Sequence, residues 1–139
     1  MLWNEFSWWT LAVAAIVQMG GGMLWYGPLF GRAWMMAMGI DPADKARMAD
    51  MQKSAGPAYG TTLVFAVVFG YVIDVLLASL NATNIGNAVL ITTVLWLSLT
   101  FANTSKAVMW GEMSRNVLII NSGFEWVFFT TVGIAACLL

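Results

Sequence analysis

Between Glu5 and Arg32 the chain carries no charged side chain, between Lys53 and Asp74 none, between Asp74 and Lys106 none, and after Arg115 only Glu125. Such runs restrict folding severely, because a membrane-spanning helix needs about 20 mostly apolar residues and a charge at its centre costs about 2.5–3.5 kcal/mol. Four spans can be drawn, over residues 6–26, 57–80, 88–110 and 116–139. Asn81-Ala82-Thr83-Asn84-Ile85-Gly86-Asn87 separates the second from the third, and Gly111-Glu112-Met113-Ser114-Arg115 the third from the fourth, both rich in turn-forming residues. The expected fold is all-α: one transmembrane domain over residues 1–139, an integral membrane four-helix bundle with a short cytoplasmic amphipathic helix between the first and second spans.

That short helix is expected over about residues 42–52. Asp41-Pro42-Ala43-Asp44 reads as an N-cap, a proline at the first helical position and an acid in the first turn. Asp44 with Arg47, Arg47 with Asp50, and Asp50 with Lys53 are three apart and support one another on a solvated face. Met48 and Met51 share a flank, which suits a helix resting on the membrane surface. Arg32, Lys45, Arg47 and Lys53 fall in the first loop and Arg115 in the third. The positive-inside rule therefore puts both loops in the cytoplasm and both termini outside. A cleaved signal peptide does not fit, since the first charge is the acidic Glu5. Trp3, Trp8 and Trp9 at one border, with Trp25, Trp34 and Trp110 at the other, read as aromatic belts.

Composition removes whole classes of chemistry. There is no His and a single Cys, Cys137, and the net charge is −1. No cofactor or metal site is expected, no catalytic residue stands out, and nucleic acid is excluded as a partner. The chain reads as non-enzymatic.

After the first span comes Leu24-Trp25-Tyr26-Gly27-Pro28-Leu29-Phe30-Gly31-Arg32-Ala33-Trp34-Met35. Gly27-Pro28 must stop the helix, and Trp25, Tyr26, Arg32 and Trp34 form an interfacial strip suited to the headgroup layer. This strip, following a Gly-rich first helix and preceding a short acid-capped helix and three more spans, resembles the bacterial membrane family known as domain of unknown function 1761. The resemblance covers nearly the whole chain. It implies a small polytopic protein of the bacterial inner membrane and supplies no reaction, ligand or catalytic residue.

Three charges lie inside the spans: Asp74, Lys106 and Glu125. Asn103 and Lys106 are i,i+3 on the third span, Asn121 and Glu125 are i,i+4 on the fourth, and the short connection makes these spans an antiparallel hairpin. Folding there brings Lys106 level with Asn121, and Asn103 level with Glu125, which allows either a buried Lys106–Glu125 ion pair that sets the hairpin's register or, since Lys106 lies about four residues from the helix end, a Lys106 that snorkels to the headgroups. With Gln18 at a comparable depth, the same residues instead line a path for protons, cations or a small polar solute. Asp74, near the outer end of the second span, reads as a solvated outer-side carboxylate. Small residues at Gly56/Gly60, Ala66/Gly70 and Ser98/Ala102 permit close helix approach. The leading expectation is a protein that works through helix packing, in contact with the lipid bilayer, as a homo-oligomer or as an accessory subunit among other membrane proteins. The alternative is a channel or transporter built on Gln18, Asn103, Lys106, Asn121 and Glu125.

Overall fold

A computed structural model of the chain describes residues 6–139. Trp3 and Glu5, used above for one aromatic belt and against a cleaved signal peptide, lie outside the described residues. Five helices follow one another: α1 (Trp8–Leu29), α2 (Gly31–Ala37), α3 (Lys45–Ser79), α4 (Ile85–Met109) and α5 (Arg115–Leu138). Four of them, α1, α3, α4 and α5, are long and apolar enough to cross a membrane, as a multi-pass membrane protein requires. Capping follows the sequence. Ser7, Asp44, Asn84 and Ser114 each accept a backbone N–H from the first turn of the helix that they start.

The expected surface helix over residues 42–52 is not a separate element. Asp41 closes a turn by accepting from the Ala43 N–H, Asp44 becomes the cap, and one 35-residue helix runs from Lys45 through Pro57 to Ser79. At about 1.5 Å per residue it is roughly 52 Å long against a hydrocarbon core of about 30 Å, so its first turns extend beyond the apolar layer. Pro57 removes one helical donor, and the acceptor this frees, the Lys53 carbonyl, belongs to an exposed residue where water can replace it. Met51 and Ala55 on one side of the proline, and Thr62 and Ala66 on the other, keep a single face turned inward. That shared face holds the helix together. The short helix between the first two spans is instead α2.

Gly27 breaks α1, with φ/ψ of −109°/−105° just before Pro28, as the Gly-Pro pair dictates. Gly31 makes the next corner possible, since a Cβ there would lie 2.5 Å from the Tyr26 carbonyl oxygen. The four spans converge on α5, the most enclosed of them. Glycine sets two of the closest approaches. A Cβ at Gly70 would lie 2.9 Å from the Ala14 Cβ, and one at Gly133 would lie 2.6 Å from the Thr92 methyl group. Around them Ala14, Ala66, Ile73, Leu77, Ala88, Phe128, Phe129 and Val132 form the core.

Burial is uneven along the spans. Among the described residues, α1 has no buried residue after Ala14, α3 none before Ala66 and α4 none after Thr92. The half of the bundle near the chain termini is packed tightly. The opposite half, which carries Arg32, Lys45, Arg47, Lys53 and Arg115 and is called the basic end below, is loosely filled.

Candidate functional site

Two cavities, both clefts open to the surface of the bundle, occupy the loosely filled part. One, of about 490 Å³, lies between α1, α3 and α5; the other, of about 920 Å³, lies toward the basic end and is walled in addition by α2. Gln18 and Thr62 belong to both walls.

Gln18 sits in a widened turn, Val17–Gly21, where i→i+5 bonding replaces the ordinary α pattern. Single wide turns of this kind recur at functional sites, and three consecutive glycines, Gly20 to Gly22, offer no side chain to resist one. Glu125 faces the smaller cavity from α5. Gln18 is 11 residues from the basic end of α1 and Glu125 is 10 from that of α5, which places both about 15 Å along their helices. They stand level, near mid-depth. Among the described residues Glu125 has no ion-pair partner, and neither it nor Gln18 has a hydrogen-bond partner. Asn121, one turn below Glu125, lines the larger cavity and accepts from the Tyr26 hydroxyl at 2.9 Å.

The expected Lys106–Glu125 pair does not form. Lys106 is exposed and donates to the Asn103 side-chain oxygen at 3.2 Å, while the Asn103 amide nitrogen donates to the Leu99 carbonyl at 2.6 Å. The cause is another widened turn, Trp96–Phe101. Trp96 faces α5, where its indole N–H donates to the Ser122 carbonyl at 2.8 Å. In an ideal helix Asn103, seven residues on, would share that face. A wide turn takes up about one extra residue and rotates the rest of the helix by about 100°, so Asn103 and Lys106 point outward. The five-residue cluster expected from sequence therefore divides. Gln18, Asn121 and Glu125 line the two clefts, and Asn103 with Lys106 does not.

Asp74 is likewise different from its expectation. It is 7% exposed rather than solvated, and its carboxylate accepts the Ser7 N–H at the first turn of α1. The Thr10 hydroxyl, fully buried, lies beside the same carboxylate without completing a well-formed hydrogen bond. A negative charge at a helix N-terminus is favourable, so Asp74 fastens α1 to α3.

The Trp-Tyr-Gly-Pro strip is a clamp on α5 as well as a border. Trp25 donates its indole N–H to the Ile120 carbonyl at 2.9 Å, and Gly123 makes room for the ring, since a Cβ there would lie 3.1 Å from it. Trp34 stacks edge-on against Tyr26 with centroids 5.8 Å apart, and its buried indole N–H has no partner among the described residues. Trp25 and Trp34 are thus turned inward, unlike Trp8, Trp9 and Trp110, which are exposed as an aromatic belt requires. Of the rest of the strip, Gly27, Pro28 and Arg32 are exposed.

A family model described as a protein of unknown function, DUF1761, matches residues 9–137. The chain belongs to the DUF1761 family. No curated protein and no solved structure matches it. For this DUF1761 chain the site's geometry must therefore supply the functional argument.

Several cavity residues escaped the reading of the sequence. Met48 and Met51 wall the larger cavity opposite Met35 and Trp34 instead of resting on a bilayer surface, and Thr62, Phe65 and Phe69 wall the smaller one. One signal was available. Met48, Met51, Ala55, Ala58, Thr62, Phe69 and Ile73 recur at helical spacing through Pro57, a single face that only a continuous helix makes coherent. Among the described residues no cluster of His, Cys, Asp and Glu can hold a metal ion.

Proposed function

We propose that this protein is a non-enzymatic, multi-pass protein of the bacterial inner membrane that binds a small solute at mid-depth between α1, α3 and α5 and passes it across the bilayer. One observation carries this reading: Gln18 and Glu125, level with each other and unpartnered among the described residues, face one cavity. Ionisable groups at membrane depth are costly and are retained where they serve a substrate or ion path. A structural role for Glu125 as the partner of Lys106 has no support, since Lys106 is bound to Asn103 on an exposed face. The solute reading uses Glu125 where it stands. The basic loops favour the cytoplasmic side for the open half and the outer side for both termini.

The test is flux in proteoliposomes supplied in turn with protons, potassium and small fluorescent organic solutes of either charge. At least one should cross faster than in protein-free vesicles, and Glu125→Gln should abolish the difference. Rates equal to those of empty vesicles for every solute would overturn the reading.

Outward features support a second reading, association with another copy or with other membrane subunits. Asn103 and Lys106 are polar on an exposed face of α4, and Gly56 and Gly60 present a flat exposed face of α3 where a Cβ at either would meet nothing within 4 Å. Small residues at this spacing let helices approach closely. In nanodiscs, a Gly56→Leu, Gly60→Leu double variant should keep the monomer's thermal stability while losing chemically cross-linked dimers. A cross-linking pattern unchanged by the double substitution counts against association through α3.

A further inference from the structure

The smaller cavity holds an imbalance that points to its occupant. Its walls are aromatic, with Phe65, Phe69, Phe128 and Phe129, and its polar groups are the Glu125 carboxylate, the Gln18 amide and the Thr62 hydroxyl. A carboxylate in an apolar site needs a compensating positive charge or a proton. No described residue supplies the charge: Lys106 is bound to Asn103 on the outer surface, and Glu125 forms no ion pair among the described residues. Calcium and magnesium are poorly matched, since calcium takes six to eight oxygens and magnesium near-ideal octahedral coordination, whereas this cavity offers one carboxylate, one amide and one hydroxyl. Aromatic faces, by contrast, attract organic cations through their quadrupoles, and the apolar remainder of such a molecule gains from the same walls. The entrance fits as well. Phe65, Val68 and Val72, on the wall formed by α3, are exposed on the surface that faces hydrocarbon in a bilayer. The cleft offers about 490 Å³ and is open along this side, so a ligand there keeps part of its apolar surface against the lipid.

We propose that the cavity around Glu125 binds a hydrophobic monovalent organic cation that enters sideways from the bilayer, its charge met by Glu125 and its apolar groups by the phenylalanines. This deepens the solute-binding reading and rests on it. The probe is tetraphenylphosphonium, with tetraphenylborate as a control of the same shape and opposite charge, titrated against the full chain in detergent micelles. Tetraphenylphosphonium should bind saturably at one site per chain, Glu125→Gln should weaken binding at least tenfold, and Phe65→Ala, at the exposed mouth, should weaken it severalfold. Tetraphenylborate should not compete. Should Glu125→Gln fail to fold, the unaltered protein still decides. Dicyclohexylcarbodiimide, which labels carboxyl groups in apolar sites, should modify Glu125, and tetraphenylphosphonium but not tetraphenylborate should slow the labelling. Equal affinity of Glu125→Gln for the cation, equal binding of the anion, or labelling indifferent to the cation would overturn the proposal. If the anion binds instead, or Glu125-dependent flux of another solute is found, the cation class is wrong and solute binding stands. If neither ion binds and no solute crosses in the flux experiment, both are wrong.

Discussion

Single residues set how closely this bundle can pack and where it cannot. Gly133 is buried against Thr92, itself fully buried and donating its hydroxyl to the Ala88 carbonyl at 2.8 Å. Gly133→Ala would drive a methyl group into the Thr92 methyl and should lower the thermal stability of the detergent-solubilised protein, by about 1–3 kcal/mol as overpacking usually does. Thr92→Ser removes the obstructing methyl and keeps the hydroxyl, so combining the two changes should recover much of the loss. Thermal unfolding of the two single variants and the double variant checks this, and losses that merely add would show that the contact is not the cause. Asp74 illustrates how far a residue's surroundings depend on distant chain. From sequence it is a carboxylate six residues before a helix end; in the structure it meets Ser7, 67 residues away.

At the scale of elements, two helices depart from ideal geometry where it matters for the site. The widened turn Val17–Gly21 carries Gln18, and the widened turn Trp96–Phe101 rotates Asn103 and Lys106 off the face that Trp96 presents to α5. Spacing alone assigned these residues to one cluster because spacing presumes 3.6 residues per turn throughout. One extra residue in a turn is enough to undo that. Lys106→Met and Glu125→Gln should therefore act independently on thermal stability, their double variant matching the sum of the singles within about 0.5 kcal/mol; a shortfall well beyond that would restore the ion pair. The continuity of α3 makes the opposite point. Gly56-Pro57 is a good break by local rules, and packing of one inward face on both sides of it overrides that break; at Asp41-Pro42, where every residue is exposed, the helix start moves only as far as the Asp44 cap.

The whole molecule combines a tightly packed half with an open one, and this asymmetry places the cavities around and below mid-depth. Its orientation is checkable with single cysteines introduced into a Cys137→Ser background. A membrane-impermeant maleimide applied to intact cells should label Asn84→Cys and spare Ala43→Cys and Glu112→Cys, the reverse pattern indicating the opposite orientation. Much of this architecture was legible in the chain itself. Four long apolar runs, which hold only Asp74, Lys106 and Glu125 among them, determine four apolar helices, because charges in hydrocarbon are too costly to be frequent there. Gly27-Pro28 determines the break after the first span, because the pair cannot continue a helix. Tertiary structure alone decided which polar residues meet. Gln18 and Glu125 come to face one cavity, Trp25 and Trp34 turn inward onto α5, and Lys106 turns away, since helix rotation depends on wide turns and on which glycines allow which neighbours to approach. Hydropathy records how much of a helix is apolar; the direction of each polar group is settled only when the helices pack.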